Sequence, residues 1–105
     1  MKKNKSEKEL ESEFQSSLIK DLRTLYGEFN VNKMPPSIYQ GIADVEVTCG
    51  PKFARLECKA YATADHQPNQ DYHVDRTNKD GAFARFIYPE NKDEVLEELR
   101  DYFNK

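Results

Sequence analysis

Residues 42–61 read IADVEVTCGPKFARLECKAY, and the register of this stretch decides how the rest of the chain is read. Apolar and polar residues alternate on both sides of CGPK, the pattern of two half-buried strands joined by a turn. With Cys49 to Lys52 as a four-residue loop, Thr48 faces Phe53. Counting back then pairs Val47 with Ala54, Glu46 with Arg55, Val45 with Leu56 and Asp44 with Glu57. A strand turns successive side chains to opposite faces, so Val45, Val47, Ala54, Leu56 and Cys58 line one side as a buried row. The other side carries charge: Glu46 meets Arg55 as an attractive pair, whereas Asp44 meets Glu57 as a repulsive one.

Two carboxylates opposed on adjacent strands stand roughly 5 Å apart at the β-carbons and destabilise the sheet unless something positive lies between them. A divalent cation suits the position, because Mg²⁺ or Mn²⁺ takes oxygen ligands and is usually held by one or two carboxylates plus water and phosphate. Lys59 shares the face. A solvated face on which Arg55 and Lys59 neutralise the acids is the bland alternative, and the register alone does not separate the two.

Working outward, Ser6 and Glu9 have capping-box spacing, and Leu10, Phe14, Leu18, Leu22 and Leu25 recur at helical intervals until Gly27. The spacing predicts a helix over residues 7–26, preceded by a flexible basic lead over residues 1–6. Glu11 falls within the apolar arc of this helix, where a carboxylate needs a partner, although acids near a helix start are also favoured electrostatically. A short strand from Phe29 to Met34 is expected to end at the Pro35-Pro36 pair. After the hairpin, Pro68 suits the first turn of a helix running to Lys79 and ending at Asp80-Gly81. AFARFIYP is a strand closed by Pro89. Asn91 with Glu94 repeats the capping signature before a last helix bearing Val95, Leu96, Leu99, Tyr102 and Phe103. A strand, crossover helix and strand in this order place FARLECKAY and FARFIYP parallel.

The chain has 105 residues, enough for one small domain, which the reading extends over residues 7–105. Twelve Tyr and Phe supply the means for a core in a chain that is 33% charged and lacks tryptophan. No apolar run approaches a membrane span, and the lysine-rich start lacks the apolar segment of a signal peptide. The expectation is a cytoplasmic protein with no membrane partner. Cys49 and Cys58 form no zinc or disulfide pattern, and the hairpin separates them too far to bridge; they are expected as reduced thiols. His66 and His73 lie seven residues apart without further ligand spacing, so zinc is not expected there. The net charge of −3 is local: residues 90–105 hold six acids against three bases, leaving 13 of each elsewhere, so one face is free to be basic. Tyr39, Tyr61 and Tyr72 are candidates for stacking on nucleobases or for ordinary core and rim positions. Lys2, Lys3, Lys5 and Lys8 belong to a solvated lead or contact phosphates, in which case binding is salt-sensitive.

These residues resemble the PD-(D/E)XK nuclease superfamily, and within it the VRR-NUC group and phage or archaeal Holliday-junction resolvases. Gly41-Ile42-Ala43-Asp44 matches the family's turn and aspartate with alanine where proline is usual, and Glu57-Cys58-Lys59 matches Glu-x-Lys fully. Glu11, three residues before Phe14, fits the helix acid, and Gln70 lies eleven residues before Gly81-Ala82 as in VRR-NUC domains. Gln67 is a nearby alternative for that glutamine. Gln70 is preferred because it shares a helical face with Val74 and Thr77.

The resemblance spans Glu11 to Phe103 and implies an α/β, restriction-endonuclease-like αβββαβ core, with a mixed four-stranded sheet flanked by helices and a C-terminal helix. It implies a Mg²⁺-dependent endonuclease in a bacterial or phage-infected cell, with Mn²⁺ as a substitute. Asp44, Glu57 and the Cys58 backbone carbonyl would hold the metal, Glu11 would reach it directly or through water, Lys59 would orient the attacking water, and Gln70 would position water or backbone. Cleavage in the family leaves a 5′-phosphate and a 3′-hydroxyl. Branched DNA is the implied substrate. One small domain offers one site, so paired nicks across a junction need a homodimer. Rival readings are a nuclease of the same fold acting on flap, nicked or linear DNA, and a catalytically silent fold that binds nucleic acid or protein.

Overall fold

The structure is a computed structural model describing residues 4–34 and 44–105. The expected double-proline end of the first strand, residues 41–43 of the motif, Tyr39, Lys2 and Lys3 lie outside the described residues. Among the described residues the architecture is α/β, a mixed four-stranded sheet with three α-helices. Helix α1 (Glu7–Tyr26) starts at Ser6, whose hydroxyl accepts the Glu9 backbone N–H at 3.1 Å, and ends at Gly27 with φ +100°. One turn of 3₁₀ helix follows, then β1 (Val31–Lys33), β2 (Val45–Cys49), β3 (Lys52–Cys58), α2 (Gln70–Lys79), β4 (Phe83–Ile87) and α3 (Lys92–Phe103).

The sheet order is β1-β2-β3-β4, antiparallel up to β3 and parallel between β3 and β4. The β2–β3 register pairs Val45 with Leu56, Glu46 with Arg55, Val47 with Ala54 and Thr48 with Phe53, as the alternation predicts. The loop is tighter than expected, because Cys49 also pairs with Lys52 and only Gly50-Pro51 remain between the strands. Gly50 has φ +61° at the first central position, which a two-residue hairpin commonly fills with glycine.

Val45, Val47, Ala54, Leu56 and Cys58 are fully buried against Leu18 and Leu22 of α1 and Val95 and Leu99 of α3. Tyr26 meets Phe103 edge-on at 5.2 Å and joins the two helices on this side, while Gln70 of α2 reaches Glu57 on the other. The apolar stripe of α1 is shorter than its periodicity suggests. Leu18 and Leu22 are buried and Phe14 partly so, but Leu10 and Leu25 are exposed, and Tyr26 takes the packing role at the C-terminal end. Phe29 also departs from expectation: it sits in the 3₁₀ turn, 91% exposed, rather than in a strand.

Helix α2 begins at Gln70 instead of Pro68, because Asn69 is in the left-handed conformation (φ 68°), which an α-helix does not admit. Asn91 precedes α3 without capping it through its side chain. Its carboxamide instead accepts from Tyr88 N at 2.9 Å and donates to the Phe86 carbonyl at 3.1 Å. Asn78 does the same for Ala84, accepting from its N–H and donating to its carbonyl, both at 2.9 Å. On the opposite edge the Arg23 guanidinium donates twice to the Val31 carbonyl. Exposed strand edges invite pairing with other chains, and side-chain amides and a guanidinium occupy these groups instead.

Candidate active site

The ladder between β3 and β4 carries Glu57 and Lys59 to the end of the sheet, where the N-terminus of α2 meets it. Glu57 pairs with Phe86 and Cys58 with Ile87, and one residue further Lys59 N donates to the Ile87 carbonyl at 2.9 Å. Both charged side chains are buried, each 4% exposed, as is Gln70 at 6%. Such burial requires partners. Gln70 supplies them: its Nε2 donates to Glu57 Oε1 at 2.8 Å, and its Oε1 accepts from Lys59 Nζ at 2.6 Å and from Gln67 N at 2.7 Å. Two donors converging on one amide oxygen fix the orientation of the carboxamide, leaving its nitrogen to face the carboxyl group. Lys59 Nζ also donates to the Asp65 carbonyl at 3.1 Å.

Asp44 reaches the same place by a different route from the expected cross-strand pairing. The β2–β3 ladder stops at Val45 and Leu56, and Asp44 occupies a bend one residue before it. Its Oδ2 accepts the Cys58 backbone N–H at 3.0 Å, and its own carbonyl accepts Met34 N at 2.7 Å. The carboxylate is thus anchored on the strand that carries Glu57. Of Cys58, the N–H touches this group; its side chain is in the core, and burial first, then Asp44 and Glu57, raise its thiol pKa.

Glu57 Oε2 is buried with no hydrogen-bond partner. Burial, first, and the neighbouring Asp44 carboxylate, second, push the Glu57 pKa up to about 9, against a weaker opposing effect of Lys59. In the metal-free fold, burial and the Asp44 carboxylate therefore favour the protonated form of Glu57 over the carboxylate. Glu11 on α1 is partly buried, as its place on the apolar arc suggests. Its pKa is raised by burial and then by Asp44, with Lys59 opposing. It senses the same charges, yet among the described residues no three His, Cys, Asp or Glu side chains gather into a metal-holding group. The core of the arrangement is two carboxylates, an amide and an ammonium. An orphaned buried carboxyl oxygen beside a second carboxylate is a donor set that fits a hard divalent cation.

The glutamine alternatives separate clearly, since Gln67 is exposed and contributes its main-chain N–H, whereas the Gln70 side chain is buried between Glu57 and Lys59. Sequence reasoning missed Asp65 and named Gln67 only for its side chain; both act through backbone atoms, which carry no residue-type signal. It also set aside His66, whose Nδ1 lies 2.9 Å from Asp71 Oδ1 and whose ring stacks on Phe86 at 4.0 Å. A histidine five residues before an acid across a helix start was the available cue. His73 packs edge-on against Tyr72, and both Tyr61 and Tyr72 are exposed. No helix among the described residues is long and apolar enough to cross a membrane.

Compared with protein-family models, with curated proteins and with solved structures, the chain matches none.

Proposed function

We propose that this protein is a divalent-metal-dependent endodeoxyribonuclease that hydrolyses phosphodiester bonds in branched DNA, with an active site at Asp44, Glu57, Lys59 and Gln70. The observation that carries the reading is Glu57: a buried carboxyl group with one oxygen held by Gln70 and the other unpartnered beside Asp44. A stabilising role alone does not account for it, because an apolar or amide side chain would be cheaper there. The αβββαβ order supports a restriction-endonuclease-like core, in which this end of the sheet is the expected place for the site.

In this reading Asp44 and Glu57, with the Cys58 carbonyl, hold Mg²⁺ or Mn²⁺. Glu11 stands further out to bind through water. The cation, when bound, supplies positive charge to the scissile phosphate and lowers the pKa of a bound water. Lys59 has three ammonium protons, two of them taken by Gln70 and Asp65. The third is available to orient the attacking water and to meet charge that develops on the phosphoryl oxygens. Gln70 keeps Glu57 and Lys59 from pairing directly, so the carboxylate stays open to the cation and the ammonium to the substrate. Paired nicks across a four-way junction require two copies of so small a site, hence a homodimer.

The test is cleavage of labelled four-way junction, flap and linear duplex DNA with Mg²⁺. Asp44→Asn and Lys59→Ala are each expected to lose about 10²- to 10³-fold or more in rate, the scale of removing one electrostatic group from a reaction centre. Metal-independent binding of DNA with no cutting of any substrate would instead mark a binding module built on this fold. Cutting that survives Asp44→Asn would refute the metal-site reading.

A further inference from the structure

We infer that His66 and Asp71 form a clamp that holds Lys59 and Gln70 in place, making His66 a positioning residue for the proposed hydrolysis. The inference rests on the reading of Lys59 and Gln70 as working groups. Residues 59–69 join β3 to α2 without regular secondary structure. Within this connection the Asp65 carbonyl accepts from the Lys59 ammonium at 3.1 Å, and the Gln67 N–H donates to Gln70 Oε1 at 2.7 Å. Asp65 and Gln67 are themselves exposed, so their side chains do not anchor them. A main-chain group can fix a buried ammonium or amide only as firmly as its own peptide is fixed.

His66 lies between those two peptides. Its ring stacks on Phe86 of β4 at a centroid distance of 4.0 Å and an interplanar angle of 23°. Phe86 is the in-register neighbour of Glu57, so the imidazole rests beside the strand position that carries the candidate metal ligand. Nδ1 lies 2.9 Å from Asp71 Oδ1, on the residue that follows Gln70 in α2. With a carboxylate opposite it, Nδ1 bears the proton. The ring therefore ties the connection to β4 by stacking and to α2 by a hydrogen bond. The earlier half of the connection is held separately, by Ala62 N donating to Glu90 Oε2 at 2.8 Å and by burial of Ala64. For the half that touches the site, the Gln70 N–H donates to the Gln67 carbonyl at 3.2 Å, and His66 adds the ties to β4 and to Asp71.

The chemistry of the clamp predicts how it fails. His66→Ala removes both ties, whereas His66→Asn keeps an amide donor near the former Nδ1 position and loses only the stacking. Two readouts on the full chain decide the matter. Without metal or DNA, His66→Ala is expected to raise amide hydrogen exchange at Gln67 by about tenfold or more and to shift the NMR signal of the Lys59 ammonium, while exchange at Leu56 and Leu99 stays unchanged. With Mg²⁺ and junction DNA, kcat is expected to fall by up to about 10²-fold at a KM within about twofold of the parent, with partial recovery in His66→Asn. Unchanged Gln67 exchange together with an unchanged Lys59 signal overturns the clamp, whatever cleavage does. Altered exchange with an unaltered kcat overturns the positioning role. If the parent cuts no DNA, the proposed function fails on its own account, and the exchange and Lys59 signals still decide whether the clamp exists.

Discussion

Two pairs of charged residues stand two positions apart on one face of the same hairpin, and they have opposite fates. Glu46 and Arg55 are of opposite sign, in register, 3.4 Å apart and partly exposed, with the Arg55 guanidinium also 5.3 Å from the centre of the Phe53 ring. Asp44 and Glu57 are both acids, lie past the end of the ladder, and leave a buried oxygen without a donor. The first pair satisfies itself and needs nothing further. The second is unfavourable as it stands, and that is the feature on which the proposed metal site rests. The contrast teaches that charge on this face is not uniform: what distinguishes the candidate site is burial without satisfaction.

The largest effect should come from removing the like-charge strain. The Glu57 pKa in the metal-free fold, about 9, lies above its ordinary value of 4.5, because of burial first and Asp44 second. The folded state thus binds more protons than the unfolded one between those values, so its contribution to stability is full at low pH and is lost as pH rises towards 9. From this group alone, metal-free stability is expected to fall by up to about 1.4 kcal/mol per pH unit across that window. In Glu57→Gln the slope should flatten, and above neutral pH the variant should be more stable than the parent. Urea melts in EDTA at a series of pH values measure this. Parallel curves for parent and variant would show that Glu57 carries no strain.

A smaller effect separates the pairs by their response to metal. A ligand that binds only the folded state at a hundredfold excess over its Kd stabilises by about 2.7 kcal/mol. Mg²⁺ is expected to raise the melting temperature of the parent and of Glu46→Gln alike, and to leave Asp44→Asn unchanged. Equal shifts in all three proteins would mean that the cation binds elsewhere. Because binding needs the ionised Glu57, Mg²⁺ should also release a proton, and the melting shift should grow from pH 6 to pH 8.

The fold was largely legible because period-two alternation and turn chemistry specify a hairpin locally. The pairing of Val45 with Leu56 and Val47 with Ala54 follows from where the apolar residues lie, since a slip by one residue would turn every one of them to the wrong face. Helix α1 was legible for a similar reason, with Ser6 and Gly27 marking its ends. Its burial was not. Leu10 and Leu25 keep the period and remain exposed because the layer beneath a helix, not the helix itself, decides which part of a stripe is covered. Asp44, Glu57, Lys59 and Gln70 were legible as residue types at particular spacings. The groups that orient them were not: the Asp65 carbonyl and the Gln67 and Cys58 N–H groups exist in every peptide, and only the path of the chain makes these ones matter. Asn91 shows the same limit from the other side. A capping signature was present, but the unpaired edge of β4 held a stronger claim on the carboxamide than the helix did.

The smallest expected effect concerns the pair that looks most like a structural ion pair. Glu46 and Arg55 meet through one contact, Nε to Oε2, with side chains 27% and 39% exposed, so water competes for both charges. An exposed pair of this kind gains modest Coulomb energy, loses side-chain entropy and is screened by salt. A double-mutant cycle with Glu46→Gln and Arg55→Gln should therefore give a coupling of about 0.2–1 kcal/mol that fades on raising the salt from 0.05 to 0.5 M. Arg55→Gln also loses packing over Phe53, which appears in the single mutant and cancels from the cycle only if Phe53 keeps its place. DNA cleavage should be unaffected by Glu46→Gln, because this residue touches neither Glu57 nor Lys59 in the hydrogen-bonded group. A coupling of several kcal/mol, insensitive to salt, would put Glu46 and Arg55 in the same buried network as the site and erase the distinction between the two pairs.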